Sequence, residues 1–171
     1  MERSWRVQGL AKSSPNPKFV VDSMLGRLAR WLRLTGFDTL YFKNIADEEL
    51  LEKTRSENRV LLTKDKKLHQ QIIKEGLRSV LIPSIPNSEA LAFLSKTFNV
   101  QLNIDPANSR CPVCNGMITS VEKETIRPMI SDSTFGRYDQ FWQCIQCGKI
   151  YWMGSHYKSM RKIITKIVAS I

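Results

Sequence analysis

The sequence predicts an α/β fold: a parallel sheet flanked by helices, followed by a small cysteine-rich segment and a C-terminal helix. Three observations predict it. From residue 18 onward, short β-branched runs alternate with segments of helical periodicity, the pattern of successive βαβ units. Three consecutive runs are almost wholly apolar, as strands buried on both faces of a sheet should be. The alternation then lapses, and two Cys-x-x-C pairs follow.

Residues 1–17 (MERSWRVQGLAKSSPNP) are basic and Ser-rich without the apolar stretch of a signal peptide. They read as a disordered leader. The α/β domain spans 18–104, with strands expected at 18–22, 38–42, 59–63 and 79–82 and helices at 23–35, 46–57, 66–75 and 88–98. At 100° per residue, Met24, Leu25, Leu28, Trp31 and Leu32 of the first helix fall within an apolar arc of about 120°. Arg27, Arg30 and Arg33 fall opposite, as either a solvated face or a phosphate-contacting ridge. Gly36 and Gly76 supply C-terminal stops. Periodicity lapses over 99–110, where Asp105-Pro106 reads as a turn. A ribbon is expected over 105–154 and an amphipathic helix over 155–171. That helix carries Tyr157, Met160, Ile163, Ile164, Ile167 and Val168 on one face and Lys158, Arg161, Lys162 and Lys166 on the other. No run approaches the 18 or so apolar residues of a membrane span, and the chain reads as soluble and cytoplasmic.

All four cysteines sit in the pairs Cys111-Pro112-Val113-Cys114 and Cys144-Ile145-Gln146-Cys147, each followed by a turn former: Asn115-Gly116, then Gly148. Two thiolates on a tight turn each supply half of a tetrahedral zinc shell. The spacing between the pairs exceeds the usual ribbon interval, which a longer hairpin accommodates. Disulfides are the rival, disfavoured where thiols stay reduced. With no cysteine left over and no open position, the zinc is expected to be structural.

Twenty-six Lys+Arg against sixteen Asp+Glu give a formal charge of +10. Such an excess favours a polyanionic partner, the alternative being a merely basic soluble protein. The acids are placed with more order. Asp22 ends the first strand, Asp47, Glu48 and Glu49 open the second helix, and Asp65 follows the third strand after Thr63-Lys64. All belong at the carboxyl edge of the sheet, where open α/β folds bind ligands. Clustered carboxylates repel unless protonated or shared with a cation, and hard oxygen ligands favour Mg²⁺ or Mn²⁺. Each acid also has a plainer role as a turn or cap residue, Asp47 especially as a helix N-cap. His69 reads as a surface residue and His156 as a packing or capping one. Walker, G-x-G-x-x-G and Ser-His-Asp patterns are absent from the sequence.

The stretches FVVDSMLGRLARWLRLTGFDTLY, ADEELLEKTRSENRVLLTKDKKL, CPVCNG and YDQFWQCIQCGKIYWMGSHY resemble the Mut-seven C-terminal RNase domain family. The resemblance runs from about residue 18 to 161 and implies a PIN-like (Rossmann-like) nuclease domain followed by a zinc ribbon. It also implies RNA cleavage at an Mg²⁺ or Mn²⁺ site. Asp22, Asp47 (or Glu48 beside it) and Asp65 match the family's acids, and Thr63 orients Asp65. Arg27, Arg30, Arg33 and Lys64 would hold RNA near the metal. Lys158, Arg161 and Lys162 would extend the footprint, with Trp142, Tyr151 and Trp152 as stacking platforms or as ribbon core. Many PIN nucleases carry a further acid after the fourth strand, whereas this chain reads Ile82-Pro83-Ser84-Ile85-Pro86-Asn87 there. Three acids would hold one metal well and a second poorly. The expectation is a metal-dependent ribonuclease, with rRNA or a ribosomal subunit among its candidate partners. The alternatives are a non-catalytic RNA- or ribosome-binding module and, more distantly, a DNA-binding zinc-ribbon factor.

Overall fold

The structure is a computed structural model and describes residues 7–8 and 17–170. Its main sheet has the order β1-β5-β4-β2-β3, built from β1 (Val7–Gln8), β2 (Phe19–Val21), β3 (Thr39–Tyr41), β4 (Val60–Thr63) and β5 (Ser79–Leu81). The last four are parallel, and β1 adds an antiparallel edge on β5, with Val7 opposite Val80. Residues 7 and 8 of the expected leader are therefore paired strand, and the rest of that leader, apart from Pro17, lies outside the described residues.

The sheet is a sandwich filling because its strands alternate. Phe19, Val21, Val60, Leu62 and Val80 point into one core, Val20 and Leu61 into the other. The first core is closed by α1 (Gly26–Leu34), α4 (Asn87–Phe98) and α6 (Ser155–Ala169), the second by α2 (Asp47–Ser56) and α3 (Lys66–Lys74). Each fully buried Leu or Phe here contributes about 2 kcal/mol of apolar burial, so both faces of the sheet are held. Among the described residues no helix is long and apolar enough to cross a membrane.

Four local expectations differ. The first helical segment begins as a 3-10 turn over Ser23–Leu25 before α1. A 3-10 turn winds about 120° per residue, which changes the phase and turns Met24 outward at 65% exposure. Arg33, placed on the solvent ridge, is buried at 4% exposure. His69 is not a surface residue: it lies on the inner face of α3 between Leu68 and Ile72, with Nδ1 2.9 Å from Ser79 Oγ. The C-terminal helix packs onto the α/β domain: Ile164 and Ile167 enter the main core beside α4, and Tyr157 Oη donates to the Ile104 carbonyl at 3.1 Å. The packed stripe is narrower than the sequence face, leaving Ile163 and Val168 exposed.

Between α4 and α6 lies a three-stranded antiparallel sheet, β6 (Ile118–Val121), β7 (Phe141–Cys144) and β8 (Ile150–Trp152), in the order β6-β7-β8. The long interval between the cysteine pairs is spent on its β6–β7 connection, a 3-10 turn over Glu124–Met129 and the short α5 (Asp132–Arg137). There the Lys123 ammonium and the Arg127 guanidinium each sit 4.6 Å from the centre of the Phe135 ring.

Candidate active site and metal centre

The chain leaves β2 through α1 toward β3, on one side, and leaves β4 through α3 toward β5, on the other. A crevice therefore opens between the carboxyl ends of β2 and β4, the place where open parallel sheets bind ligands. Asp22 follows β2 directly and is 8% exposed. Its Oδ2 accepts the Thr63 hydroxyl at 2.7 Å across that crevice, and its Oδ1 accepts Ser23 Oγ at 3.0 Å. The Thr63 hydroxyl also accepts the Asp65 backbone N–H at 2.9 Å. One buried hydroxyl thus fixes both acids, rather than Asp65 alone.

Asp65 is the N-cap of α3, its Oδ1 accepting the N–H of Lys67 at 2.6 Å and of Leu68 at 3.2 Å. The cap role considered for Asp47 is not made: Ala46 precedes α2 as its N-cap, and Asp47 is its exposed first residue. Burial, and then the charges of Asp65, Glu48 and Asp22, push the Asp47 carboxyl above its ordinary value. The structure thus brings Asp22, Asp47 and Asp65 into one electrostatic neighbourhood at the predicted edge, with Glu48 beside them. Hard oxygen donors under mutual repulsion suit a divalent cation such as Mg²⁺ or Mn²⁺. Among the described residues, however, no three carboxylates converge as tightly as the cysteines do.

Beside this edge lies an open cleft of about 650 Å³. Arg27 and Arg30 of α1 and Lys64 after β4 line it, so three predicted RNA contacts share one space. None of the three forms an ion pair among the described residues. Lys158, Arg161 and Lys162 stand exposed on α6 and line no part of it. Met24, Tyr41, Ile85, Pro86 and Asn87 are among the other residues of the wall. The sequence reading missed them as site residues because nothing in a short apolar loop marks it as a pocket lining.

Arg33 is a correction. Its guanidinium donates from Nε to the Thr39 carbonyl at 2.8 Å, and from Nη1 to the carbonyls of Pro112 at 3.2 Å and Val113 at 3.0 Å. It therefore fastens the first cysteine knuckle to α1 and β3, and at 4% exposure it is withdrawn from the surface that a phosphate could reach. Asn115 completes the joint from the knuckle side. At φ +71° it occupies the left-handed region, which Asn tolerates better than most residues. Its Oδ1 accepts the Thr39 N–H at 2.9 Å while its Nδ2 donates to Asp38 at 2.8 Å. Asp38 in turn accepts Arg59 Nη1 at 2.9 Å. Asn115-Gly116 was legible only as a turn; its docking role depends on a strand 76 residues away.

The four cysteine sulfurs lie within 4.8 Å of one another and could hold one zinc ion. The Cys111–Cys147 and Cys114–Cys144 sulfurs are 3.6 and 3.4 Å apart, near the ~3.8 Å edge of a tetrahedron with Zn–S bonds of about 2.3 Å. No disulfide forms. Burial raises the Cys111 thiol, but the Tyr151 hydroxyl, 3.0 Å away, and backbone N–H groups outweigh it and bring the thiol down to about 7. Burial instead pushes Cys114 up to about 12. Gly116 is required here, because a Cβ would meet Cys144 Sγ at 2.8 Å. Tyr151 is thus committed to the cysteines and Trp142 packs against them. Trp152 is 38% exposed, near the rings of Tyr138 and Phe141.

A family model described as the Mut7-C RNAse domain matches residues 17–164. Among curated proteins, no match is found.

Proposed function

The chain belongs to the Mut7-C RNAse domain family, and from that premise we propose that it is a metal-dependent ribonuclease. The observation that supports the reading is the position of Asp22, Asp47 and Asp65 along the carboxyl edge of the sheet, beside a cleft lined by Arg27, Arg30 and Lys64. Asp22, Asp47 and Asp65 would hold Mg²⁺ or Mn²⁺. When bound, such an ion supplies Lewis-acid polarisation of a phosphoryl oxygen and activation of water. The chain's own residues do the rest. Thr63 fixes the Asp22 carboxylate and the turn of Asp65, and Arg27, Arg30 and Lys64 neutralise and position the phosphodiester backbone. One zinc per chain, on Cys111, Cys114, Cys144 and Cys147, plays a structural part, with α6 cations extending the electrostatic footprint.

The test is cleavage of mixed single-stranded and hairpin RNAs with Mn²⁺, Mg²⁺ or EDTA, with Asp65→Asn beside wild type. Asn retains N-cap capacity, so this variant removes charge while keeping α3 capped. Metal-dependent products absent from the variant support the enzyme. The looser gathering of the carboxylates, compared with the cysteines, favours a second reading, an RNA-binding module without catalysis. It predicts tight binding and no products under any metal.

A further inference from the structure

The cleft beside the acids is built for more than a phosphate. Its cations lie on α1 and just after β4, but part of its wall, from the 3-10 turn and the β5–α4 loop, is apolar: Met24, Ile85 and Pro86. A site for phosphate alone has no use for that wall. Met24 is 65% exposed on the 3-10 turn that follows Asp22, an adaptable thioether of the kind suited to flat apolar partners. Asn87 lines the same wall, and its side-chain amide has no hydrogen-bond partner among the described residues. An amide offers a donor and an acceptor side by side, the pattern that pairs with a base edge. At about 650 Å³, the cleft falls within the range of small-ligand sites and has room for a nucleotide.

We propose that this cleft is a nucleotide pocket that takes one unpaired nucleotide of the RNA strand next to the cleavage point. The base lies on Met24, Ile85 and Pro86 with its edge toward Asn87, and the flanking phosphates meet Arg27, Arg30 and Lys64. The identity of the strand as RNA rests on the ribonuclease reading above. The cleft opens on the α1–α4 side of the strand ends, whereas Asp47 and Asp65 begin helices on the opposite side. In the proposed mode, a strand crossing the acids turns one nucleotide into the cleft. A base held in a duplex stack cannot make that turn.

The experiment measures displacement of a fluorescent single-stranded RNA from the full chain in EDTA. The competitors are a nucleoside 5′-monophosphate, ribose 5-phosphate and a fully paired duplex. The nucleotide should compete about tenfold better than ribose phosphate. Met24→Ser/Asn87→Ala should erase that margin while leaving ribose phosphate unchanged. Met24 is solvent-facing and Asn87 unpartnered, so folding, checked by circular dichroism, should survive. Equal competition by the two small molecules, a margin that persists in the folded variant, or duplex binding as tight as single strands overturns the pocket. Cleavage with Mn²⁺, run in parallel, keeps the two ideas apart. Asp22-dependent cleavage with no base margin rejects the pocket alone, and a base margin without cleavage rejects the nuclease alone.

Discussion

Thr63 Oγ1 donates to Asp22 Oδ2 at 2.7 Å across the gap between β4 and β2, joining the two strands at the point where the chain's connections diverge. The same oxygen accepts the Asp65 N–H. Thr63 is fully buried, so this contact is shielded from water and fixes the Asp22 carboxylate and the Asp65 backbone together. Thr63→Val keeps the shape and removes the hydroxyl. RNA cleavage should fall about ten- to a hundredfold, the usual consequence of losing the group that orients a metal-binding residue. Stability should fall by about 1–3 kcal/mol from the unpaired Asp65 N–H. RNA binding in EDTA should persist, and a Thr63→Ser variant should recover most of the cleavage. Unchanged cleavage in Thr63→Val would remove Thr63 from the site.

The arginines of α1 separate by salt dependence. Arg30 faces the cleft, whereas Arg33 is buried against carbonyls of β3 and the knuckle. Arg30→Ala should weaken RNA binding and lower the slope of log K against log salt by about one. Arg33→Ala should leave that slope alone but cost about 2–4 kcal/mol, since it strands buried carbonyl acceptors and empties the joint between the α/β domain and the ribbon. Denaturant melts and binding titrations on the two variants decide it; a reduced slope in Arg33→Ala would return this residue to the RNA face.

These two residues also show how far the sequence could be read. The acids were legible because each follows a strand or opens a helix at a fixed place, and strand period and apolarity are local signals. The zinc ligands were legible for the same reason: a Cys-x-x-C turn carries its own geometry. Arg33 was not, because its environment is made by carbonyls 79 and 80 residues away, and spacing on one helix cannot report a partner that distant. Met24 was misplaced by a 3-10 turn that no propensity signalled, and His69 by the burial of a helix face against Ser79.

Tyr151 stands 3.0 Å from Cys111 Sγ, a hydrogen bond to the thiolate that helps bring the Cys111 thiol down. Tyr151→Phe should loosen zinc about tenfold in competition with a chelator while metal analysis still finds one zinc in the untreated protein. Zinc removal should lower the thermal midpoint of the whole chain, because the first knuckle is bonded through Arg33 and Asn115 to the main sheet. An unchanged midpoint after chelation would mean that the ribbon and sheet unfold independently.

Asp38 gives the acid side of the stability curve. Burial raises its carboxyl, but hydrogen bonds from Arg59 and Asn115 outweigh this and hold it below its ordinary value. A depressed folded carboxyl contributes stability that is present above its unfolded value, ~3.9, and lost as pH falls through the folded one. Thermal melts should therefore steepen in loss below about pH 4, and Asp38→Asn should flatten that limb. An equally steep limb in the variant would assign acid lability elsewhere.

Asp47 has the opposite sign. Burial and its acidic neighbours raise its carboxyl in the folded state, so its favourable contribution is complete below the unfolded value of ~3.9 and is lost as pH rises through the folded one. At neutral pH the ionised group therefore costs stability, by a small amount because it is exposed and screened by water. Asp47→Asn removes the charge without much change in shape. Its thermal midpoint should exceed that of wild type at pH 7 and match it near pH 3, while metal-dependent cleavage falls, an exchange of stability for function common at charged sites. Mg²⁺ should raise the wild-type midpoint at pH 7 by relieving the same repulsion and should raise the variant's less. A variant that is less stable than wild type at pH 7, or equally stabilised by Mg²⁺, would show that Asp47 does not share a cation site with Asp22 and Asp65.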